Sequence, residues 1–106
     1  MGIFDFLKGP DLDQGLSEYR AAPGAVLLDV RTLQEYQAGH LPDSRNIPLQ
    51  ALGRGEELPA DLDTPIFVYC HSGARSRQAA ALLARMGYRQ VKNIGGIAAF
   101  QGKVVR

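Results

Sequence analysis

The chain has 106 residues, of which 45% are hydrophobic and 22% are charged, and this composition is typical of a compact globular domain. It excludes long disordered segments and repeat arrays. A domain of this size buries roughly two-thirds of the surface that its unfolded chain exposes, so it supports one core with any active site at the edge. We expect a single domain over residues 1–106. The apolar residues 1–10 form either a mobile tail or a segment packed on the domain.

Cys70 is the only cysteine, which excludes an internal disulfide and a thiolate metal cage. We expect no metal, and a lone thiol suits the reducing cytoplasm. The apolar runs are shorter than the roughly 20 residues that span a bilayer, and the first residues lack a secretory pattern. A cytoplasmic protein without a membrane partner is therefore predicted.

The formal net charge is only +1, but the charges are unevenly distributed along the chain. Residues 1–63 carry 11 acidic and 5 basic side chains, whereas residues 64–106 carry 7 basic side chains and no acidic one. The basic part either steers a small anion towards a site or neutralises the acidic part in space. Nucleic acid is not an expected partner, since the bases form no stripe interleaved with aromatic residues.

The first third of the chain predicts a helix, a strand and a second helix. Residues 11–22 carry apolar side chains at helical spacing behind an acidic first turn. Residues 26–30 form a nearly continuous apolar run between turn residues, typical of a strand buried on both faces of a parallel sheet. Thr32, with Glu35 three positions later, is a capping box that opens a short helix.

The remaining residues alternate between strands and helices. Predicted in order are a brief strand within 40–49, a loose helix over 49–57, a buried strand over 66–70, an alanine- and leucine-rich helix through Met86, a strand over 91–94 and a last turn introduced by Gly95 and Gly96. This alternation predicts an α/β fold with a mainly parallel sheet.

Cys70 lies where a predicted strand ends and a helix begins, the edge at which α/β folds bind ligands. The helix dipole, the free amides of the helix start and Arg75 would stabilise negative charge on its sulfur, with His71 as a further donor. Gly73 allows the loop amides to curl into an anion-binding nest, and Ser76 adds a hydroxyl. A lone cysteine is more often a packing residue, but these neighbours favour a nucleophilic thiolate.

The loop between Cys70 and Arg75 has four residues, His71, Ser72, Gly73 and Ala74. The loop of cysteine-dependent phosphatases has one more. The shorter loop closes a smaller cradle, which suits one sulfur atom better than a tetrahedral phosphate. A phosphatase-like or arsenate-reducing activity is therefore the weakest alternative.

Three ordered motifs together resemble the rhodanese family of sulfurtransferases over nearly the whole chain. They are Leu28-Asp29-Val30-Arg31 with Glu35-Tyr36, Gly39-His40-Leu41-Pro42 and Asn46-Ile47-Pro48; the loop Cys70-His71-Ser72-Gly73-Ala74-Arg75-Ser76; and Gly87-Tyr88 with Val91 and Asn93-Ile94-Gly95-Gly96.

The resemblance implies a rhodanese-like fold, with a central, mainly parallel five-strand sheet flanked by helices on both faces. It also implies that Cys70 accepts sulfane sulfur from a small anion such as thiosulfate. The sulfur is then carried as a persulfide to cyanide, a thiol or a protein acceptor, without a metal or organic cofactor. Many family members have a tryptophan near the position of Phe100, and Phe100 is expected to keep its packing role.

Three further expectations concern the surroundings of Cys70. The donor-binding loop comprises residues 71–76, in which Arg75 either binds the donor's oxyanion or braces the loop through carbonyl contacts. Asp29 and Arg31 are expected to orient loops, through an ion pair with Glu35 or a neighbour, rather than touch substrate. Nothing is expected to shield the thiol. The alternative to an enzyme is a relay or docking module that passes sulfur between proteins.

Overall fold

A computed structural model describes residues 10–106. The predicted tail falls almost entirely on residues that lie outside the described ones. The elements in chain order are α1 (Leu12–Ala21), β1 (Val26–Asp29), α2 (Leu33–Ala38), β2 (Arg45–Asn46), α3 (Leu49–Leu52), β3 (Ile66–Cys70), α4 (Ala74–Arg85) and β4 (Val91–Gly96). The predicted alternation of helices and strands is confirmed.

Local sequence explains where several helices begin and end. The Asp11 side chain caps α1 by accepting from the Asp13 amide, and α2 begins with the predicted capping box of Thr32 and Glu35. Helix α4 begins after Gly73, whose φ of 100° lies in the left-handed region that favours glycine. Gly87, at φ 107°, follows the end of α4.

The strands form one parallel sheet in the order β2-β1-β3-β4. Strands β1 and β3 are buried along their whole lengths, as their apolar runs predict. Their register places Leu28 opposite Val68 and Asp29 opposite Tyr69. The carboxyl ends of β1 and β3 therefore meet at one edge of the sheet, where the loops that precede α2 and α4 emerge.

Two layers of buried side chains cover the two faces of the sheet. The α1-side core consists of Leu12, Leu16, Leu27, Leu41, Phe67, Tyr69 and Ile94. The α4-side core consists of Leu28, Val30, Ile47, Leu52, Ile66, Val68, Cys70, Ala79, Leu83 and Tyr88. Because side chains alternate along a strand, Cys70 shares its face with Ile66 and Val68. Phe100 packs against the opposite, α1-side core, which is the packing role expected of it.

The expected five-strand sheet has four strands among residues 10–106. His40 forms only an isolated antiparallel bridge with Val105, through two backbone hydrogen bonds of 2.8 Å. Pro42 stands two residues further on and has no amide hydrogen, so the ladder cannot extend in that direction.

The last turn follows Gly95 and Gly96 as predicted, with the Phe100 amide donating to the Ile97 carbonyl at 3.0 Å, but β4 continues through both glycines and does not end at residue 94. The pairing of β3 with β4 shifts by one residue after Val68, where Asn93 and Gly95 face consecutive residues of β3. Gly95 adopts a φ of 104°, which lets the strand accommodate the extra residue and continue.

Acidic side chains of the first part of the sequence pair with three of the seven basic side chains of the second part. Among residues 10–106, ion pairs between the two parts join Glu18 to Lys92, Glu35 to Arg75 and Asp63 to Arg89. No helix in this part of the chain is long and apolar enough to cross a membrane.

Candidate active site

Cys70 ends β3, and its side chain is buried in the α4-side core. The expectation that nothing shields the thiol is therefore wrong. The following loop curls back over the sulfur, because the Gly73 amide donates a hydrogen bond of 3.0 Å to Cys70 Sγ. His71, Ser72 and Ala74 are exposed, so the predicted loop lies between the sulfur and solvent.

The surroundings of Sγ favour the thiolate. Burial raises the pKa of the Cys70 thiol, but the hydroxyl and amide of Ser76 and the amides of Gly73 and Ser72 outweigh burial, so the pKa is lowered from its ordinary value. These donors come from one loop and the first turn of α4, whose amides have no partner within the helix. The groups that favour a charged sulfur thus combine one side-chain hydroxyl with backbone amides of the loop and of the helix start.

Ser76 ties the start of α4 to β4. The side chain is fully buried, and its hydroxyl lies 2.7 Å from Asn93 Oδ1 and 3.1 Å from the Gly73 carbonyl oxygen. Asn93 Oδ1 also accepts from the Gly95 amide at 3.0 Å. The Asn93 side chain therefore links the bulge of β4 to the start of α4, which faces Cys70 Sγ.

Arg75 does not contact loop carbonyls in the structure. Its Nη1 donates to Glu35 Oε1 at 2.7 Å and its Nη2 to Glu35 Oε2 at 3.0 Å, a bidentate pair between α4 and α2. The Arg75 guanidinium is the main cause that lowers the pKa of Glu35 to about 2, and Glu35 in turn raises the pKa of Arg75. The predicted contacts with loop carbonyls are replaced by a carboxylate that links α4 to α2.

Asp29 and Arg31 pair with each other, and neither pairs with Glu35. Arg31 Nη2 lies 2.7 Å from Asp29 Oδ2, and both residues are buried. The same nitrogen donates to the Gly39 carbonyl at 2.7 Å, so the pair fixes the loop after α2. Arg31 also lies over the Tyr69 ring, 5.8 Å from its centroid. The pair thus contacts the α1-side core, whereas Cys70 lies in the α4-side core.

Sequence reasoning missed two residues that shape the site. Glu35 was expected to cap α2, which it does, but its second role as the partner of Arg75 spans 40 positions. The sequence indicates Asn93 only as part of the third motif. No local pattern reveals either role, because both depend on which strands are neighbours. A prediction that β1 pairs with β3 would place Glu35 and Arg75 at the same edge of the sheet, because each residue follows the carboxyl end of one of these strands.

The family model for the rhodanese-like domain matches residues 11–103. A sulfurtransferase of Allochromatium vinosum is 43% identical over 77 residues, which are 71% of this chain and 70% of that protein. The thiosulfate sulfurtransferase GlpE of Pseudomonas savastanoi pv. phaseolicola is 38% identical over 87 residues, 82% of this chain and 77% of the relative.

Solved structures agree with this match. A structure described as rhodanese with anions from E. coli has a TM-score of 0.69 at 33% identity, over 77% of this chain and 98% of the other. The human single-domain sulfurtransferase TSTD1 has a TM-score of 0.69 at 26% identity, over 83% and 88% of the two chains. The resemblance inferred from the motifs is confirmed: this chain belongs to the rhodanese-like domain family.

Proposed function

We propose that this chain, a rhodanese-type sulfurtransferase, transfers sulfane sulfur from thiosulfate or a persulfide donor to cyanide or a thiol through a persulfide on Cys70. The observation that carries the proposal is the hydrogen bond of 3.0 Å from the Gly73 amide to Cys70 Sγ. It belongs to a set of donors that lowers the pKa of the only thiol. A thiolate at a helix start is the nucleophile that sulfur transfer needs.

In the first step, the Cys70 thiolate attacks the outer sulfur of thiosulfate. A new sulfur–sulfur bond forms, the original one breaks, and sulfite leaves with the bonding electron pair. The enzyme then holds a persulfide anion. Amides of the loop and of the first turn of α4 stabilise this charge as they stabilise the thiolate.

In the second step, cyanide or a thiolate attacks the outer sulfur of the persulfide. With cyanide the product is thiocyanate, and the Cys70 thiolate is regenerated with its electron pair. Both steps exchange sulfur between nucleophiles, so the chemistry needs no metal or organic cofactor. The Gly73 amide donates to the sulfur, and Ser72 and Ser76 also favour its charged form. The exposed His71 and Ala74 are the residues that we expect an arriving donor or acceptor to meet.

A relay between proteins is the second candidate, favoured by the exposed loop residues above a buried sulfur. In that case a protein persulfide is the donor and thiosulfate reacts poorly. A phosphatase or arsenate reductase remains disfavoured by the four-residue loop. Cytoplasmic residence is part of the proposal, because a reducing compartment suits an enzyme with a single thiol.

The test is intact-mass analysis of the purified protein after thiosulfate and then after cyanide, with Cys70→Ser treated in parallel. We expect a gain of one sulfur, about 32 Da, on the parent protein alone, followed by its loss as thiocyanate is released. Sulfur gained equally by Cys70→Ser would contradict the persulfide at Cys70. No gain by either protein, with sulfur accepted from a persulfide protein, would favour the relay.

A further inference from the structure

We propose that Glu35 is a positioning residue for the Cys70 site and that it acts by holding Arg75. This role rests on the proposed function, because Cys70 is the reacting group. Glu35 has no hydrogen bond to the sulfur or to residues 71–74, and its two carboxylate oxygens bind Thr32 and Arg75.

The Glu35 carboxylate is fixed from its own helix. Its Oε1 accepts from the Thr32 amide at 3.0 Å and from the Thr32 hydroxyl at 3.1 Å. The Thr32 hydroxyl in turn accepts from the Glu35 amide at 3.2 Å. A side chain held by this reciprocal cap presents Oε2 in one direction, and that oxygen accepts from Arg75.

Arg75 transmits this constraint to the sulfur. It is the second residue of α4 and stands two positions after Gly73, whose amide contacts Sγ. The pair therefore connects the start of α2, which follows β1, with the start of α4, which follows β3. A planar guanidinium bound through two nitrogens fixes both distance and angle, which a single charge contact does not.

The ion pair with Glu35 also limits the other contacts that Arg75 can form. Both of its terminal nitrogens donate to Glu35, and its charge is balanced by the carboxylate. Stabilisation of the thiolate is therefore left mainly to the Ser76 hydroxyl and to the amides of Ser76, Gly73 and Ser72. The side chains of both partners are about one-third exposed, so the pair adds little to global stability, and its effect is local.

The experiment compares Glu35→Gln, Arg75→Gln and the double variant with the parent protein. Glutamine keeps Oε1 for the Thr32 amide and for Arg75 Nη1, but it removes the negative charge and replaces Oε2 with an amino group that cannot accept from Arg75 Nη2. The substitution therefore ends the bidentate contact. Asp63→Asn is the matched control, because it breaks an exposed ion pair with Arg89 away from the site. Thermal unfolding shows that each variant is folded.

Two readouts are used. The first is the ultraviolet absorbance of the Cys70 thiolate as a function of pH, with Cys70→Ser subtracted; it does not depend on sulfur transfer. The second is kcat and KM for thiosulfate. If the parent transfers no sulfur, the proposed function fails while the titration still tests the positioning role.

We expect both single variants to raise the pKa of Cys70 and to lower kcat by a similar factor, roughly threefold to thirtyfold. The double variant should show no larger change in pKa or kcat than either single variant, because both substitutions break the same contact. The control should match the parent. A Glu35→Gln variant that matches the control would overturn the proposal. The proposal would also be overturned if Glu35→Gln lowered the pKa of Cys70 and the double variant restored the parent value. Glu35 would then act on the thiol only through its charge. A raised KM confined to Arg75→Gln would instead make Arg75 a donor-binding residue.

Discussion

Gly96 lies so close to His71 that a β-carbon on Gly96 would stand 2.2 Å from the His71 carbonyl oxygen. The same oxygen accepts a hydrogen bond of 3.0 Å from the Ala98 amide. The end of β4 and the loop that covers Cys70 are thus in direct backbone contact. The shape of the loop depends on a residue 25 positions after His71 in the chain.

Gly96→Ala should displace the loop, because the three nearest neighbours of the added carbon are backbone atoms of His71 and Ser72 that cannot rotate away. We expect thiosulfate turnover to fall by at least about tenfold, with a loss of unfolding free energy of about 1–3 kcal/mol from overpacking. Steady-state kinetics and urea unfolding measure the two effects. Gly53→Ala is the control, since its nearest neighbour lies 4.0 Å away and its φ is −65°. Equal activity of the two variants would contradict the contact.

Ser76→Ala should raise the pKa of Cys70, because it removes a hydroxyl that favours the thiolate. The thiolate fraction at neutral pH then falls, and the rise of activity with pH moves to higher pH. Loss of the hydrogen bond to Asn93 should cost about 1 kcal/mol of stability. The pH profile of kcat/KM for thiosulfate measures the shift, and a profile identical to that of the parent would argue against a role for Ser76.

Asp29→Asn should destabilise the protein by about 3–5 kcal/mol, since Arg31 would remain buried without a carboxylate. Asp29 accepts from the Arg31 amide and from two guanidinium nitrogens, and asparagine cannot accept all of these bonds. The exposed pair of Asp63 with Arg89 should contribute less than about 1 kcal/mol. Urea unfolding of Asp29→Asn and Asp63→Asn tests the contrast, which equal midpoints would refute.

The ion pair of Glu35 should contribute to acid stability in a defined pH window. Its pKa is about 2 in the folded protein against an ordinary value of 4.5, so the unfolded chain binds the proton more readily. The stabilisation is full above about pH 4.5 and is lost as the pH falls through about 2. Because the side chain is partly exposed, we expect only about 1 kcal/mol. Unfolding of Glu35→Gln and the parent across this range should show a difference that disappears at the acid end; a constant difference would contradict the assignment.

Features that depend on neighbouring residues could be predicted from the sequence. Thr32 and Glu35 lie three positions apart, so their capping box is visible in the chain itself. The apolar runs that end at Asp29 and Cys70 give the buried parallel strands, and the second run also puts the only cysteine at a strand end before a glycine. The helix that follows accounts for the amides around the sulfur.

Only the tertiary structure decided which distant groups meet. Glu35 binds Arg75 because β1 and β3 are adjacent and in register, and Asn93 reaches Ser76 because β4 lies beside β3 and in contact with α4. The burial of Cys70 and the two different faces on which Cys70 and Asp29 lie follow from strand alternation combined with helix packing. A pattern in one segment cannot specify its partner, since that choice is made by the packing of the whole core.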